Sequence, residues 1–170
     1  MLVLLALFFL CTYLLPLGIR PLIRPDEFRY AEIPREMLSS GDWIVPRLNG
    51  VRYFEKPATG YQMTAVCFAL FGENAFALRL GVLLTAAFLY FLMYRYSRDL
   101  FLPGLAAGIY LCFGLVFGVG TFAVLDSQLT CMLSLSIMAF YFAWSSSERR
   151  YVFCWLIAAG IFAGVAFLIK

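Results

Sequence analysis

The sequence has no histidine, so it offers no imidazole base, no His-ligated zinc and no Ser-His-Asp arrangement. Charge is scarce as well: 14% of its 170 residues are charged against 64% hydrophobic, too little polar surface for a soluble domain of this size. There is no CxxC pair. Cys11, Cys67, Cys112, Cys131 and Cys154 each lie in an apolar run and read as small buried hydrophobes rather than a disulfide frame or metal knuckle. No GxGxxG or GxxxxGK[ST] pattern is present, and without a basic run or a soluble module nothing points to nucleic acid. The apolar start, Met1 to Leu15, has no basic segment before it and no small-residue cleavage site after it. It reads as a retained first span rather than a cleaved signal.

What is present is long uncharged sequence. Leu2 to Ile19 carries no charge and, as a helix, is roughly 27 Å long, enough for a hydrocarbon core of about 30 Å. Leu100 to Leu125, Ser127 to Ser147 and Tyr151 to Ile169 are also uncharged and long enough to span. A further helix is expected from Asn74 to Tyr94, with Arg79 in its early turns, more simply snorkelling outward than facing a polar cavity. Pro57 to Gly72 is apolar but short, and is expected as a helix at the interface or packed against the bundle. The fold class is thus an all-α integral membrane bundle of about five transmembrane helices. It divides into a first span (residues 1–19), an amphipathic juxtamembrane loop (20–73) and four further spans (74–170). Glycines such as Gly104, Gly108, Gly114 and Gly118 are expected to favour close helix packing, and the aromatic stripe of Phe88, Tyr90, Phe91 and Tyr94 to face lipid or core.

The loop from Arg20 to Lys56 holds more than half of all the charges in the chain. Apolar residues Phe28, Ala31, Met37 and Leu38 recur in it at helical spacing, and Ser39-Ser40-Gly41 reads as a helix end capped by Gly41. Pro34 removes a helical hydrogen bond to Tyr30, which predicts a kink or two short helices meeting there. Trp43 and Tyr53 suit a membrane–water boundary. Counting Lys and Arg alone places this loop in the cytoplasm, but that bias weakens for long segments. The relative placement is firmer: with five spans, the loop and Asp126 share one side, and Arg95, Arg98, Arg149 and Arg150 mark the other.

Three places carry chemistry. Asp26-Glu27 follows the first span; the pair is either a set of acids in the first turn of an exposed helix or a carboxylate at the membrane face, ready to assist a transfer. Glu55-Lys56-Pro57 sets a compact cation at the mouth of an apolar helix, either a snorkelling lysine with a neighbouring ion pair or a ligand for a lipid phosphate. Asp126 is the lone acid between Leu100 and Ser147, which marks either a turn or a functional acid. Arg149 and Arg150 are more simply topology markers.

Several elements occur in order: Pro25-Asp26-Glu27, Arg29-Tyr30-Ala31-Glu32, Arg35-Glu36-Met37-Leu38, Gly41-Asp42-Trp43 and Tyr53-Phe54-Glu55-Lys56-Pro57, with "AVLD" ending at Asp126. Together they resemble the first periplasmic loop of undecaprenyl-phosphate aminoarabinose transferases, lipid-linked glycosyltransferases of the GT-C type, related to the protein O-mannosyltransferases. The resemblance runs along the whole chain, which would be roughly a third of a family member, its N-terminal part. It implies a multi-pass protein of the bacterial inner membrane with its active-site loop in the periplasm. The activity would be transfer of 4-amino-4-deoxy-L-arabinose from a polyprenyl-phosphate donor to a lipid A phosphate. Asp26 is the implied catalytic carboxylate, Asp126 a second acid at the same cavity, and Lys56 the ligand of the donor phosphate. Glu55 is the implied site of a divalent metal ion, and Glu27, Arg29, Tyr30 and Tyr53 are candidate substrate-binding residues. Phe28 and Pro34 depart from the family pattern, and the histidines and arginines that the family supplies from later spans are absent. The alternatives are a related transferase with a protein or other glycan acceptor, or a non-catalytic membrane binding or transport subunit. The second would leave the shared face of Glu55-Lys56 and Asp126 unexplained.

Overall fold

The structure is a computed structural model that describes residues 2–80, 109 and 112–170. Helix α1 (Leu2–Phe9), a π-helical stretch (Leu10–Leu14) and α2 (Leu15–Ile19) run on as one apolar rod. The π-helical stretch carries Tyr13, which is buried with Leu17 against Phe9, Leu14 and Phe76. The rod ends at Arg20, whose backbone is extended ahead of Pro21.

Helix α3 (Asp26–Ser40) starts with two acids in its first turn, where the helix dipole favours negative charge. It ends where sequence places its end: Gly41 takes φ 72° and donates its N–H to the Met37 carbonyl at 3.0 Å. The helix runs unbroken through Pro34, so the two short helices expected there do not form. Pro34 is instead buried on the same side as Ile33 and Met37, where its ring contributes packing in place of the N–H it lacks. Phe28, expected on the apolar face, points out with the Arg24 guanidinium 5.2 Å from its ring centre.

After Asp42, whose carboxylate accepts the N–H groups of Ile44 and Val45, the chain makes a small hairpin of β1 (Arg47–Leu48) and β2 (Val51–Arg52). Asn49 and Gly50, both at positive φ, form its tip, the signature of a tight two-residue turn. Helix α4 (Thr59–Phe71) is too short to cross a bilayer and packs its Gly60–Tyr61–Thr64–Phe68 face inward. At Gly60 an added Cβ would lie 2.5 Å from a Leu125 methyl, so this contact tolerates only hydrogen. Asn74 then caps the helical residues 75–80 through the Ala77 N–H at 2.8 Å.

Helix α5 (Gly114–Thr121) is followed by an extended step through Phe122 and Val124 into α6 (Leu125–Ser145), which pairs with α7 (Arg149–Ile169). Only α6 and α7 are long and apolar enough, among the described residues, to cross a membrane. The run from Leu100 to Leu125 is not one helix as expected, because Phe113 is extended and the backbone opens again after Thr121. Gly114 and Gly118 have nothing within 4 Å of an added Cβ among the described residues, whereas Gly60 sits at a tight contact and Gly18 and Gly120 at ordinary van der Waals distance. Gly104, Gly108, the Phe88–Tyr94 aromatic stripe, Arg95, Arg98 and most of the Asn74–Tyr94 helix lie outside the described residues. Cys67 and Cys131 are buried, whereas Cys11, Cys112 and Cys154 are exposed rather than buried as expected.

The opened backbone at residues 122–124 is explained by a buried ion pair. Glu27 accepts Arg79 Nε at 2.8 Å and Arg79 Nη2 at 2.6 Å, and also the backbone N–H groups of Ile23 and Ala123 at 2.9 Å each. Arg79 donates its remaining N–H groups to the carbonyls of Leu17, Arg20 and Pro21. Arg79 therefore does not snorkel; it is fully buried. Arg20 completes the knot, donating to the Thr121 carbonyl at 2.7 Å with its guanidinium 4.1 Å from the Phe122 ring centre. Burial opposes ionisation of Glu27, but hydrogen bonds from Arg79, Ala123 and Ile23 outweigh it and hold the carboxyl below its ordinary value.

A depressed folded-state value means that Glu27 contributes stability above the ordinary carboxylate range and loses it as pH falls through the depressed value. The thermal midpoint of the full-length protein should thus drop as pH is lowered below about 4.5, the unperturbed value, and flatten in Glu27→Gln. At neutral pH, Glu27→Ala strands the Arg79 charge and should cost about 3–5 kcal/mol, read as a lower midpoint.

Candidate active site

Successive residues on a helix point about 100° apart, so burying Glu27 turns its neighbour Asp26 outward. The Asp26 carboxylate is half-exposed and meets Arg29 one turn on, Oδ1 to Nη2 at 2.5 Å. Arg29 also reaches the hydroxyl of Tyr53 at 3.2 Å and Glu55 Oε2 at 3.4 Å. The Tyr53 hydroxyl donates to the same Glu55 oxygen at 2.5 Å. Four residues from two separate stretches thereby form one network with Arg29 at its centre. Hydrogen bonding to Asp26 is the largest of the effects that raise the affinity of Arg29 for its proton.

An aromatic floor braces this network. Tyr30 stacks on Tyr61 at 5.9 Å between ring centres, and Tyr53 meets Tyr61 edge-on at 6.3 Å. Tyr61 also joins Ile33, Met37, Leu125 and Ile169 in the main apolar cluster, so α3, α4, α6 and α7 all converge beneath the site. Burial raises the Tyr30 hydroxyl above its ordinary value, with Asp26, Asp126 and Glu55 adding to the shift and Arg29 opposing it. Three acids thus act on one phenol. Asp126, at the start of α6, is exposed and ion-paired with Lys170.

The candidate residues therefore separate. Asp26, Arg29, Tyr30, Tyr53 and Glu55 come together, and Asp126 lies on the same side of the bundle. Lys56 follows Glu55, is partly buried, and has no hydrogen-bond or ion-pair partner among the described residues. Glu27 stands apart from the expectation that it binds substrate, since every oxygen it has is engaged in the buried knot. Tyr61 carries no signal in the sequence, where it sits inside an apolar helix; its buried hydroxyl has no hydrogen-bond partner among the described residues.

Glu55 is the residue expected to hold a divalent metal ion. Among the described residues no three His, Cys, Asp or Glu side chains are grouped to hold one. Glu55 accepts hydrogen bonds from Arg29 and from the Tyr53 hydroxyl.

The sequence profile of the Dolichyl-phosphate-mannose-protein mannosyltransferase family matches residues 1–170. An undecaprenyl phosphate-alpha-4-amino-4-deoxy-L-arabinose arabinosyl transferase of Yersinia enterocolitica is 43% identical over 98% of this chain and 31% of its own length. A second such transferase, from Proteus mirabilis, is 42% identical over 99% of this chain and 31% of its own. Crystal structures of ArnT from Cupriavidus metallidurans, one apo and one bound to undecaprenyl phosphate, each superpose with a TM-score of 0.85. Their identity is 32%, over 99% of this chain and 32% of theirs. The chain spans about a third of the length of these relatives.

Tyr53→Phe separates the network from its floor, because it removes the hydroxyl but keeps the ring on Tyr61. It should lower the stability of the full-length protein by about 0.5–1.5 kcal/mol, seen as a shifted thermal midpoint. Tyr53→Ala removes the ring as well and should cost clearly more.

Proposed function

This chain belongs to the Dolichyl-phosphate-mannose-protein mannosyltransferase family, and on that premise we propose that the protein containing it is a lipid-linked glycosyltransferase. It moves 4-amino-4-deoxy-L-arabinose from undecaprenyl phosphate to a phosphate of lipid A. The named activity of its relatives supports the donor and the sugar, and the undecaprenyl phosphate held by one structural relative supports the lipid. The single observation that carries the reading is the placement of Lys56, unpartnered among the described residues, next to Glu55 of the Asp26–Arg29–Glu55 network and just before the apolar helix α4. A polyprenyl phosphate asks for that combination: a free cation for the phosphate, an apolar surface for the chain, and carboxylates where a sugar would lie.

In this reading the bundle has five spans in the bacterial inner membrane. Helices α3 and α4 and the start of α6 lie together at the periplasmic face. The antiparallel pairing of α6 and α7 supports this, because it puts Asp126 at the opposite end of α7 from Arg149 and Arg150. The opened backbone at residues 122–124 is compatible with a position near the membrane, since the Ala123 N–H is taken by Glu27, the Val124 N–H by the Phe122 carbonyl, the Val124 carbonyl by the Ser127 hydroxyl and the preceding Thr121 carbonyl by Arg20.

The chemistry breaks the bond between the sugar and its phosphate and forms one to the acceptor oxygen. Lys56 neutralises charge on the departing phosphate. Asp26 faces the acceptor. A phosphate monoester acceptor is largely ionised near neutral pH, so no proton has to be removed from it. That suits an Asp26 already bound to a guanidinium, which then orients groups and steadies positive charge on the sugar. The amine of the donor sugar is cationic, and Asp26, Glu55 and Asp126 supply an acidic surround for it.

Asp26→Asn in the full-length enzyme should reduce transfer by about a hundred- to a thousandfold, the usual cost of losing one preorganised electrostatic contact. The readout is the mass of lipid A from cells, where an added aminopentose should be present with the native enzyme and vanish in the variant. Undiminished transfer in Asp26→Asn would reduce that residue to a helix-start acid. No added sugar even with the native enzyme would send the search to protein or other glycan acceptors. Lys56→Ala should weaken binding of undecaprenyl phosphate to the purified enzyme by about 1.5–3 kcal/mol, roughly ten- to a hundredfold.

A further inference from the structure

The hairpin beside the active site carries a pairing that the transfer reaction does not use. Its register sets Arg47 opposite Arg52 and Leu48 opposite Val51. The next rung is closed by the Tyr53 N–H on the Pro46 carbonyl at 2.8 Å. Arg47 and Arg52 therefore form a pair without mutual backbone bonds, the kind whose side chains stand closest, about 4.5 Å between Cα atoms and on one face. Two positive charges in that position destabilise a hairpin. Compensation is slight: Asp42 meets Arg47 at 3.5 Å, and Arg52 is exposed with no ion pair or hydrogen bond among the described residues.

The hairpin is nonetheless held firmly. The Glu36 carboxylate accepts the Gly50 N–H at the tip through both oxygens, at 3.1 and 3.2 Å, and Leu48 packs into the main apolar cluster on the inner side. Leu48 alternates with Arg47, so the arginines face the other way. A fixed pair of guanidiniums is the arrangement that recognises phosphate oxygens in parallel. Around it, Phe54 and Ile44 are each more than 70% exposed, and Trp43 is 37% exposed. Arginines among exposed aromatic and aliphatic side chains match the boundary of a bilayer, where phosphates and acyl chains meet.

We propose that the outward face of the Arg47–Arg52 hairpin is a docking surface for the phosphate of an anionic membrane-lipid headgroup, with Phe54, Ile44 and Trp43 against the adjoining acyl region. The two guanidiniums share the phosphate oxygens, and the phosphate relieves their mutual repulsion. This surface is independent of the transfer reaction and is tested without measuring it.

The test is hydrogen exchange of residues 47–54 in the full-length protein, in nanodiscs of phosphatidylcholine with and without phosphatidylglycerol. Phosphatidylglycerol should slow exchange in this segment several-fold. Arg52→Gln should abolish that slowing, and Arg52→Lys should keep part of it. In phosphatidylcholine alone Arg52→Gln should exchange no faster than the native chain, because the substitution removes a repulsion; this separates lost binding from lost folding. Inorganic phosphate added to phosphatidylcholine nanodiscs should not reproduce the effect; if it does, the site takes free phosphate and the lipid assignment fails. The proposal is likewise overturned if phosphatidylglycerol changes nothing, if Arg52→Gln is protected equally, or if phosphatidylcholine alone already protects the hairpin, which would mean that the rest of the protein covers it.

Discussion

One buried ion pair holds the described structure together. Bringing a carboxylate and a guanidinium out of water is costly, and the cost is recovered only when every remaining polar group finds a partner. Glu27 and Arg79 meet that condition: the carboxylate takes two donors from Arg79 and two backbone N–H groups, while Arg79 spends its other donors on three carbonyls at the end of the first helix. Those partners come from the end of α2, the start of α3, the helical residues 75–80 and the extended step before α6. Four otherwise separate pieces of an apolar chain are thereby fixed to a single point.

The active-site geometry follows from that point. With Glu27 drawn inward, Asp26 can only face out, where Arg29 one turn later gathers it with Tyr53 and Glu55. The adjacent acids thus divide, Glu27 bound into the buried knot and Asp26 turned out to the face where the proposed reaction uses it. The tyrosines carry the arrangement down to the apolar core, since Tyr61 stacks under Tyr30 and Tyr53 and packs on Leu125 and Ile169. Lys56, without a hydrogen-bond or ion-pair partner among the described residues, follows Glu55 of that network, and in the proposed reading it is the cation that takes the donor phosphate.

Much of this was legible in the sequence where the signal is local. Gly41 announced the end of α3, the short apolar stretch after Pro57 announced a helix that packs without spanning, and the loop motifs announced the family. What escaped was set by long-range contacts. Arg79 looked like a snorkelling residue because its partner, Glu27, lies far away in the chain and its other partners are backbone carbonyls. The break after Thr121 left no mark in hydropathy, since Phe122, Ala123 and Val124 are as apolar as a helix requires, and only the acceptor waiting on Glu27 makes the opened backbone affordable. Pro34 read as a break because its missing N–H is visible in sequence and its packing beside Ile33 is not. Tyr61 read as one more apolar helix position.

The most direct test of this account is a double-mutant cycle on Glu27→Leu and Arg79→Met in the full-length protein, read by thermal midpoint and by transfer of aminoarabinose to lipid A. If the pair acts as one unit, each single change strands a buried charge, and the double variant loses well under the sum of the two, in stability and in activity alike. Losses that simply add would contradict the account, for they would mean that Glu27 and Arg79 hold their neighbours independently and that Asp26 is positioned by something else.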